Sequence, residues 1–193
     1  MYLKPVLFIL LSGVVFVGVW SYEPDCVPSF CKCTRYEVHC EMPEDANQNG
    51  KTYYEYAQWV CAERGGCLAN LHTKEIDWCV RNFISEKNLD QPPCINRPSF
   101  GFFIGLTDID EEGTWVWKNG IELCGSTCTN WAPGEPNNRI NPKRCPNDDG
   151  QHCAQLWYRF GHNGKWDDEY CNCRPKGFIC EIKTDCCCNG SPY

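Results

Sequence analysis

Residues 164–181 read GKWDDEYCNCRPKGFICE. Lys165-Trp166-Asp167 and residues 178–182 have the aromatic and β-branched composition of strands, and a polar segment containing Pro and Gly separates them. Two adjacent acids, Asp167 and Asp168, come at the end of the first run, and cysteines stand at positions 171, 173 and 180. The stretch predicts two short strands, with several cysteines close by and two neighbouring carboxylates.

A long irregular segment and further strands precede this stretch. Residues 102–106, 115–117 and 154–157 are rich in aromatic and aliphatic side chains and predict three short strands. Between Asn119 and His152 lie 34 residues rich in Gly, Pro, Asn and Cys, without a sustained hydrophobic period. Since structureless segments of that length are uncommon inside compact domains, this one indicates a functional loop.

Two amphipathic helices are predicted before the strands. Tyr53, Ala57, Val60 and Cys61 follow one helical stripe, which the Gly65-Gly66 pair ends. Residues 76, 80, 83 and 84 repeat the stripe after Thr73, a plausible N-cap with acids in the following turn. These apolar side chains indicate core packing.

Acid and amide side chains recur in three turns. Glu135-Pro136-Asn137-Asn138 and Asp167-Asp168 could converge on a hard cation such as Ca2+, which takes about six to eight oxygen ligands. Residues 108–113 (DIDEEG) resemble the start of an EF-hand loop, but Asn119 stands where that motif needs a bidentate Glu. Each cluster taken alone is also typical of a solvated turn.

The N-terminus predicts export from the cell. Lys4 precedes an apolar run from Val6 to Trp20, which is shorter than the roughly 20 residues of a membrane-spanning helix and typical of a signal peptide. We therefore divide the chain into a signal peptide (1–21), a cysteine-rich segment (22–50), one folded domain (51–182) and a cysteine-rich tail (183–193). An uncleaved anchor is the alternative to cleavage.

Cysteine content supports an oxidising compartment. The 193 residues include 18 Cys, an even number that permits nine bridges. In segment 22–50 we expect two local or near-local bridges; a zinc site at His39 and Cys40 is the alternative.

Composition also excludes several classes of function. The formal net charge of -7 argues against nucleic acid as a partner. The sequence contains no second apolar span, so we expect no membrane insertion after the signal peptide is cleaved. Nucleophile motifs, H-E-x-x-H and phosphate-binding loops are absent from the sequence, so we expect no enzyme.

The order of these pieces resembles the C-type lectin-like domain family over roughly residues 52–181. The landmarks are YYEYAQWVC at 53–61, GGCLA at 65–69, FIGL at 103–106, EPN at 135–137, WDD at 166–168 and FICE at 178–181. The resemblance implies an α+β fold in which two helices flank small antiparallel sheets and a long irregular binding loop, with many disulfides. It further implies that Cys61 pairs with Cys180 and Cys153 with Cys171.

The resemblance also implies a function: a secreted, calcium-dependent lectin for glycans or glycoproteins on cell or microbial surfaces. By it, Ca2+ is held by Glu135, Asn137, Gln151, Asp167 and Asp168. Vicinal hydroxyls of a mannose-, N-acetylglucosamine- or fucose-type sugar complete the shell, contacted by Glu135, Asn137, Gln151 and Asp167. Pro136 is expected to follow a cis bond. The alternative is a protein-binding or extracellular-matrix module on the same fold.

Two positions depart from the family pattern. Gln151 replaces an expected Glu and Asp167 an expected Asn, so the number of carboxylates is unchanged while donor and acceptor trade places. Asp148 or Asp149 could substitute for the missing acid. An auxiliary Ca2+ site is implied at Asp108, Glu112 and Asn138, although its usual fourth acid falls at His152, a poor Ca2+ ligand.

Overall fold

A computed structural model describes residues 19–22, 34–95, 100–123, 129–146, 148–159 and 161–183. Two helices and eight strands occur in these ranges. They are β1 (Val19–Tyr22), β2 (Thr34–His39), α1 (Tyr53–Glu63), β3 (Gly66–Leu68), α2 (Lys74–Glu86), β4 (Gly101–Thr107), β5 (Val116–Trp117), β6 (Cys153–Trp157), β7 (Lys165–Glu169) and β8 (Gly177–Lys183). Both helices and the five strands expected from the sequence are confirmed.

Side-chain caps define where the helices begin. Thr52 caps α1 through a reciprocal pair of hydrogen bonds, in which its hydroxyl accepts from the Glu55 backbone N–H and the Glu55 carboxylate accepts from the Thr52 N–H. Thr73 caps α2 through a single hydrogen bond, in which its hydroxyl accepts from the Ile76 backbone N–H. These bonds satisfy backbone donors that the first helical turn leaves without partners.

All eight strands belong to one mixed sheet. Its main path runs β1-β2-β8-β4-β6-β7, with β3 paired to β8 and β5 to β4. Every pairing is antiparallel except β4 with β8, where Phe102 and Phe103 lie beside Gly177 and Phe178. The expectation of small antiparallel sheets is therefore refined: the parallel β4–β8 pair joins the two antiparallel halves into one layer.

The segment before the domain contributes to this sheet. β2 pairs with β8 over six residues, and on its other side β2 pairs with β1. Strand β1 extends across Ser21, the predicted end of the signal peptide. Cleavage at that boundary remains a prediction. The expected local bridging is wrong for Cys40, which pairs with Cys94. Because β2 is part of the sheet, Cys40 packs against the same core cluster that contains Cys94. The two cysteines are therefore close in space although they are far apart in the sequence.

Cysteine pairing otherwise follows the family resemblance. The Cys61–Cys180 and Cys153–Cys171 bridges are confirmed, and Cys145–Cys173 is an additional bridge that closes onto the loop. Cys40 is bridged, which removes it from the zinc alternative, and the His39 ring stacks on Phe178 at 4.4 Å. Among the cysteines of the described ranges, Cys67 is a free thiol. Cys26, Cys31 and Cys33 and the tail after position 183 lie outside the described residues.

Strand β7 is fixed to the core by the Trp166 side chain. This indole is fully buried, and its Nε1–H donates to Asp77 Oδ1 at 2.8 Å. The Asp77 carboxylate, on α2, also accepts from Arg81 and Asn130. The Trp166 backbone bonds residues 130 and 132, so the beginning of the irregular loop is held directly against β7. The acids that follow Trp166 are therefore presented by a rigid strand.

Candidate functional site

Three carboxylates meet where the loop passes over β7. Glu135 lies in the loop, and Asp167 and Asp168 are consecutive residues of β7. One oxygen from each of the three lies within 4.8 Å of the others. The Glu135–Pro136 bond is cis, as the resemblance implied, and the Asn137 amide N–H donates to the Glu135 carboxylate. The structure thus brings together side chains that the sequence separates by about thirty residues.

Asp168 holds the loop in place. Its side chain is fully buried, and both of its oxygens accept from the Asn137 backbone N–H at 3.0 Å. The Asn138 backbone N–H donates to Asp168 Oδ2 at 2.6 Å. A buried carboxylate that accepts several backbone N–H groups is fixed in position, and it fixes the backbone of the residues that donate to it. Asp168 therefore couples the β7 backbone to the tripeptide.

Gln151 lies beside Asp168 as a buried brace. Its Nε2 donates to the Asp168 backbone carbonyl at 2.6 Å, and its Oε1 accepts from the Arg139 N–H at 3.0 Å. The Asn138 side chain accepts from the Gln151 backbone N–H at 2.8 Å. Both the oxygen and the nitrogen of the Gln151 side-chain amide therefore form hydrogen bonds to the backbone. The sequence, which suggested Gln151 as a Ca2+ ligand, did not predict these bonds. The assignment of Gln151 as a ligand remains a prediction.

Behind Asp167 lies a buried polar network that we did not predict from the sequence. Gln155 Nε2 donates to Asp167 Oδ2 at 2.6 Å, and Gln155 Oε1 accepts from Lys176 Nζ at 2.8 Å. Lys176 also contacts Glu169 Oε2 at 3.1 Å. A Cβ at Gly101 would lie 2.2 Å from the Gln155 amide oxygen, so only glycine leaves room for this side chain.

This network orients Asp167 toward the other carboxylates. One Asp167 oxygen is committed to Gln155, which leaves the other for a ligand. The sequence shows only that Gln155 and Asp167 are polar residues within two predicted strands; the structure shows that both are buried. Their direct opposition in the β6–β7 register, which places both side chains on one face, requires the structure.

The electrostatics of the cluster favour a cation. Burial raises the pKa of Glu135 to about 8, with further increases from hydrogen bonding and charge at Asp168 and Asp167. Burial also raises the pKa of Asp167 to about 7, against the opposing effect of the hydrogen bond from Gln155. Like charges held this close disfavour simultaneous ionisation. A divalent cation would relieve that repulsion.

The donor set fits Ca2+. Three carboxylates and the amide oxygen of Asn137 are hard oxygen ligands, which Ca2+ prefers, and neither an imidazole nor a free thiol is part of the cluster. Glu135 and Asn137 are partly or fully exposed, whereas Asp167 and Asp168 are buried. The site therefore has a rigid floor on β7 and an open side, where a ligand with its own oxygens could complete the coordination shell.

Ca2+ affinity is expected to fall as the pH is lowered from 8 to 5. The ion requires ionised carboxylates, and the raised pKa values of Glu135 and Asp167 mean that protons compete with it near neutrality. Each displaced proton should cost about tenfold in affinity per pH unit below the pKa. Calorimetry in buffers of different ionisation enthalpy would measure both the affinity and the protons released. Affinity unchanged between pH 8 and pH 5 would contradict this prediction.

A second group of titratable side chains lies at the end of β4. Asp108, Glu112 and His152 approach within 4.8 Å of one another. Asn138, expected there as an auxiliary ligand, instead bonds Gln151 through its side-chain oxygen. Asp149, the suggested substitute for the missing acid, contacts His152 Nε2 at 3.4 Å. Asp148 is not a member of either group of converging ligands among the residues described.

Comparison with known proteins identifies the family. The model of the Lectin C-type domain family matches residues 50–182. A perlucin-like protein of Mytilus galloprovincialis is 25% identical over 146 residues, which cover 76% of this chain and 78% of the relative. The CD209 antigen of Symphalangus syndactylus is 35% identical over 162 residues, which cover 84% of this chain but 35% of the relative. The chain thus spans about a third of that longer protein.

Solved structures show the same fold. The carbohydrate-recognition domain of cow CD23, crystallised in the presence of a GlcNAc2Man3 oligosaccharide, gives a TM-score of 0.53 at 22% identity and covers 79% of this chain and 90% of that one. Human lithostathine gives 0.56 at 20% identity and covers 83% and 99%. Across the described ranges, no helix combines the length and apolar character needed to cross a bilayer. Because the family model matches more than half of this chain, the chain belongs to the C-type lectin domain family.

Proposed function

We propose that this protein is a secreted lectin that binds glycans on cell or microbial surfaces through a Ca2+ ion. The ligands of the ion are Glu135, Asn137, Asp167 and Asp168, with Gln151 holding the loop or adding its amide oxygen. The observation that carries the proposal is the convergence of three carboxylates under a loop that a buried acid clamps in place.

The chemistry of the open side suits a sugar diol. Neighbouring hydroxyls supply neutral oxygens to the ion, and the same hydroxyls can donate to carboxylates such as Glu135 and accept from the Asn137 amide. Such charge-assisted hydrogen bonds are about twice as strong as neutral ones. The coordination shell and the hydrogen bonds would therefore be completed together by one ligand.

The sugar preference is predicted to follow the tripeptide. The tripeptide of Glu135 to Asn137 resembles that of family members that bind mannose, N-acetylglucosamine and fucose. Mannose should therefore elute the protein from mannose-agarose at a lower concentration than galactose does. EDTA should elute it completely. Glycan competition by both sugars, in Ca2+ and in EDTA, measures this. Tighter binding of galactose would contradict the mannose-type assignment without removing the Ca2+ site.

A protein-binding or matrix module is the second candidate. The Cys145–Cys173 bridge connects the loop to the segment after β7, and Arg144 contacts Glu169 at 3.3 Å. A loop fixed in this way, with the exposed Ile140 beside it, offers a rigid surface that a protein partner could recognise. Ca2+ binding without response to any monosaccharide on a glycan panel would favour this second function.

A further inference from the structure

The cluster at the end of β4 does not fit the auxiliary Ca2+ site that the family resemblance implies. Ca2+ takes about six to eight oxygen ligands. Here two carboxylates, Asp108 and Glu112, converge, and the third group of the cluster is an imidazole nitrogen. A nitrogen donor at the centre of the site favours an ion of the Zn2+ class instead.

Two of the ligand-atom distances agree with tetrahedral coordination. His152 Nδ1 lies 3.2 Å from Asp108 Oδ1 and 3.2 Å from Glu112 Oε2. In a tetrahedral zinc site with nitrogen and oxygen ligands, neighbouring ligand atoms are about 3.3 Å apart, given metal–ligand bonds of about 2.0–2.1 Å. Both carboxylate oxygens are therefore spaced from the imidazole nitrogen as two ligands of one such ion would be, and they lie within 4.8 Å of each other.

Proton counting also favours a cation at this point. An imidazole Nδ1 carries at most one proton, yet two carboxylate oxygens approach it at equal distance. Asp108 is almost fully buried, and its other oxygen is fixed by the Gly113 N–H at 2.9 Å. One Nδ1–H bonds a single oxygen well, whereas a metal ion between the three groups would bind the nitrogen and both oxygens.

We propose that Asp108, Glu112 and His152 form a Zn2+-class site that discriminates against Ca2+, with water as the fourth ligand. His152 coordinates through Nδ1. Asp149, an almost fully exposed carboxylate, contacts the other ring nitrogen, Nε2, at 3.4 Å. The site is separate from the cluster of Glu135, Asp167 and Asp168 and does not depend on the function proposed for that cluster.

The test is titration of untagged, metal-stripped full-length protein with Co2+ and Zn2+, with the Cys67 thiol blocked. Co2+ should produce the visible absorption of a four-coordinate nitrogen–oxygen site, and one equivalent of Zn2+ should abolish it. Excess Ca2+ should leave that absorption in place. His152→Ala should weaken Zn2+ binding by about 100-fold or more. His152→Asp should also lose Zn2+ selectivity while gaining a Ca2+ equivalent.

Two controls separate this proposal from its alternatives. Glu135→Gln should leave Zn2+ binding unchanged, and a far-UV circular dichroism spectrum and unfolding midpoint equal to those of the parent show that His152→Ala is folded. The proposal is overturned if Zn2+ affinity is the same in His152→Ala, if Glu135→Gln abolishes it, or if millimolar Ca2+ displaces Co2+.

Discussion

Asp168→Asn is expected to lower Ca2+ affinity by about 100-fold or more and to abolish sugar binding. The substitution removes one of three charges from the cluster. In either orientation of the new amide, its NH2 group also lies beside the Asn137 backbone N–H, which now donates to both carboxylate oxygens. Donor would face donor in a fully buried position, so the loop that carries Glu135 should lose its position.

Asp167→Asn is the matched comparison, because it makes the same chemical change one residue earlier in the strand. Its amide oxygen can still serve as a ligand, and Asn is the residue that the family pattern expects there. We therefore predict a clearly smaller loss of Ca2+ affinity in Asp167→Asn. Calorimetric titration of both variants measures the contrast. Asp168→Asn with affinity within threefold of the parent would contradict the assigned role of this carboxylate.

Lys176→Met is expected to destabilise the fold by about 3–5 kcal/mol. Its ammonium group is completely buried, lies 4.9 Å from the centre of the Phe103 ring and bonds both Glu169 and Gln155. Burial lowers the pKa of Lys176, and the neighbouring Glu169 carboxylate opposes that shift. Removing the cation would leave buried carboxylate charge with less compensation. Urea unfolding with Ca2+ present measures the loss.

The control for Lys176 is the double variant Lys176→Met, Glu169→Gln, which removes both members of the ion pair. It should recover a substantial part of the lost stability, because no buried charge is then left without its partner. A single-variant loss below about 1 kcal/mol, or a double variant as unstable as the sum of the two single variants, would contradict this interpretation.

Local signals in the sequence predicted the elements and the main site. Periodicity predicts both helices, with Thr73 as the cap of α2, and apolar runs such as 102–106 predict strands that the structure confirms. The carboxylates of Glu135, Asp167 and Asp168 were named from their motifs, and the structure brings them together. These features depend on short-range patterns that a single sequence carries.

Long-range pairing could not be predicted in the same way. The β6–β7 register sets Gln155 opposite Asp167, and no local pattern encodes that register. Segment 22–50 contains too few apolar residues to signal a central strand, yet β2 gains its stability from pairing with β8. Similarly, His152 could be recognised as a poor Ca2+ ligand, but its equal distances to two carboxylates required the structure.

The central claim is that Ca2+ at Glu135, Asn137, Asp167 and Asp168 creates the sugar site. The most direct test is calorimetric titration of the mature protein with Ca2+ and then with mannose, repeated in EDTA. The expected result is Ca2+ binding, followed by a mannose response that EDTA abolishes and that Asp168→Asn lacks. Mannose binding that persists in EDTA, or the absence of Ca2+ binding at pH 8, would contradict the claim.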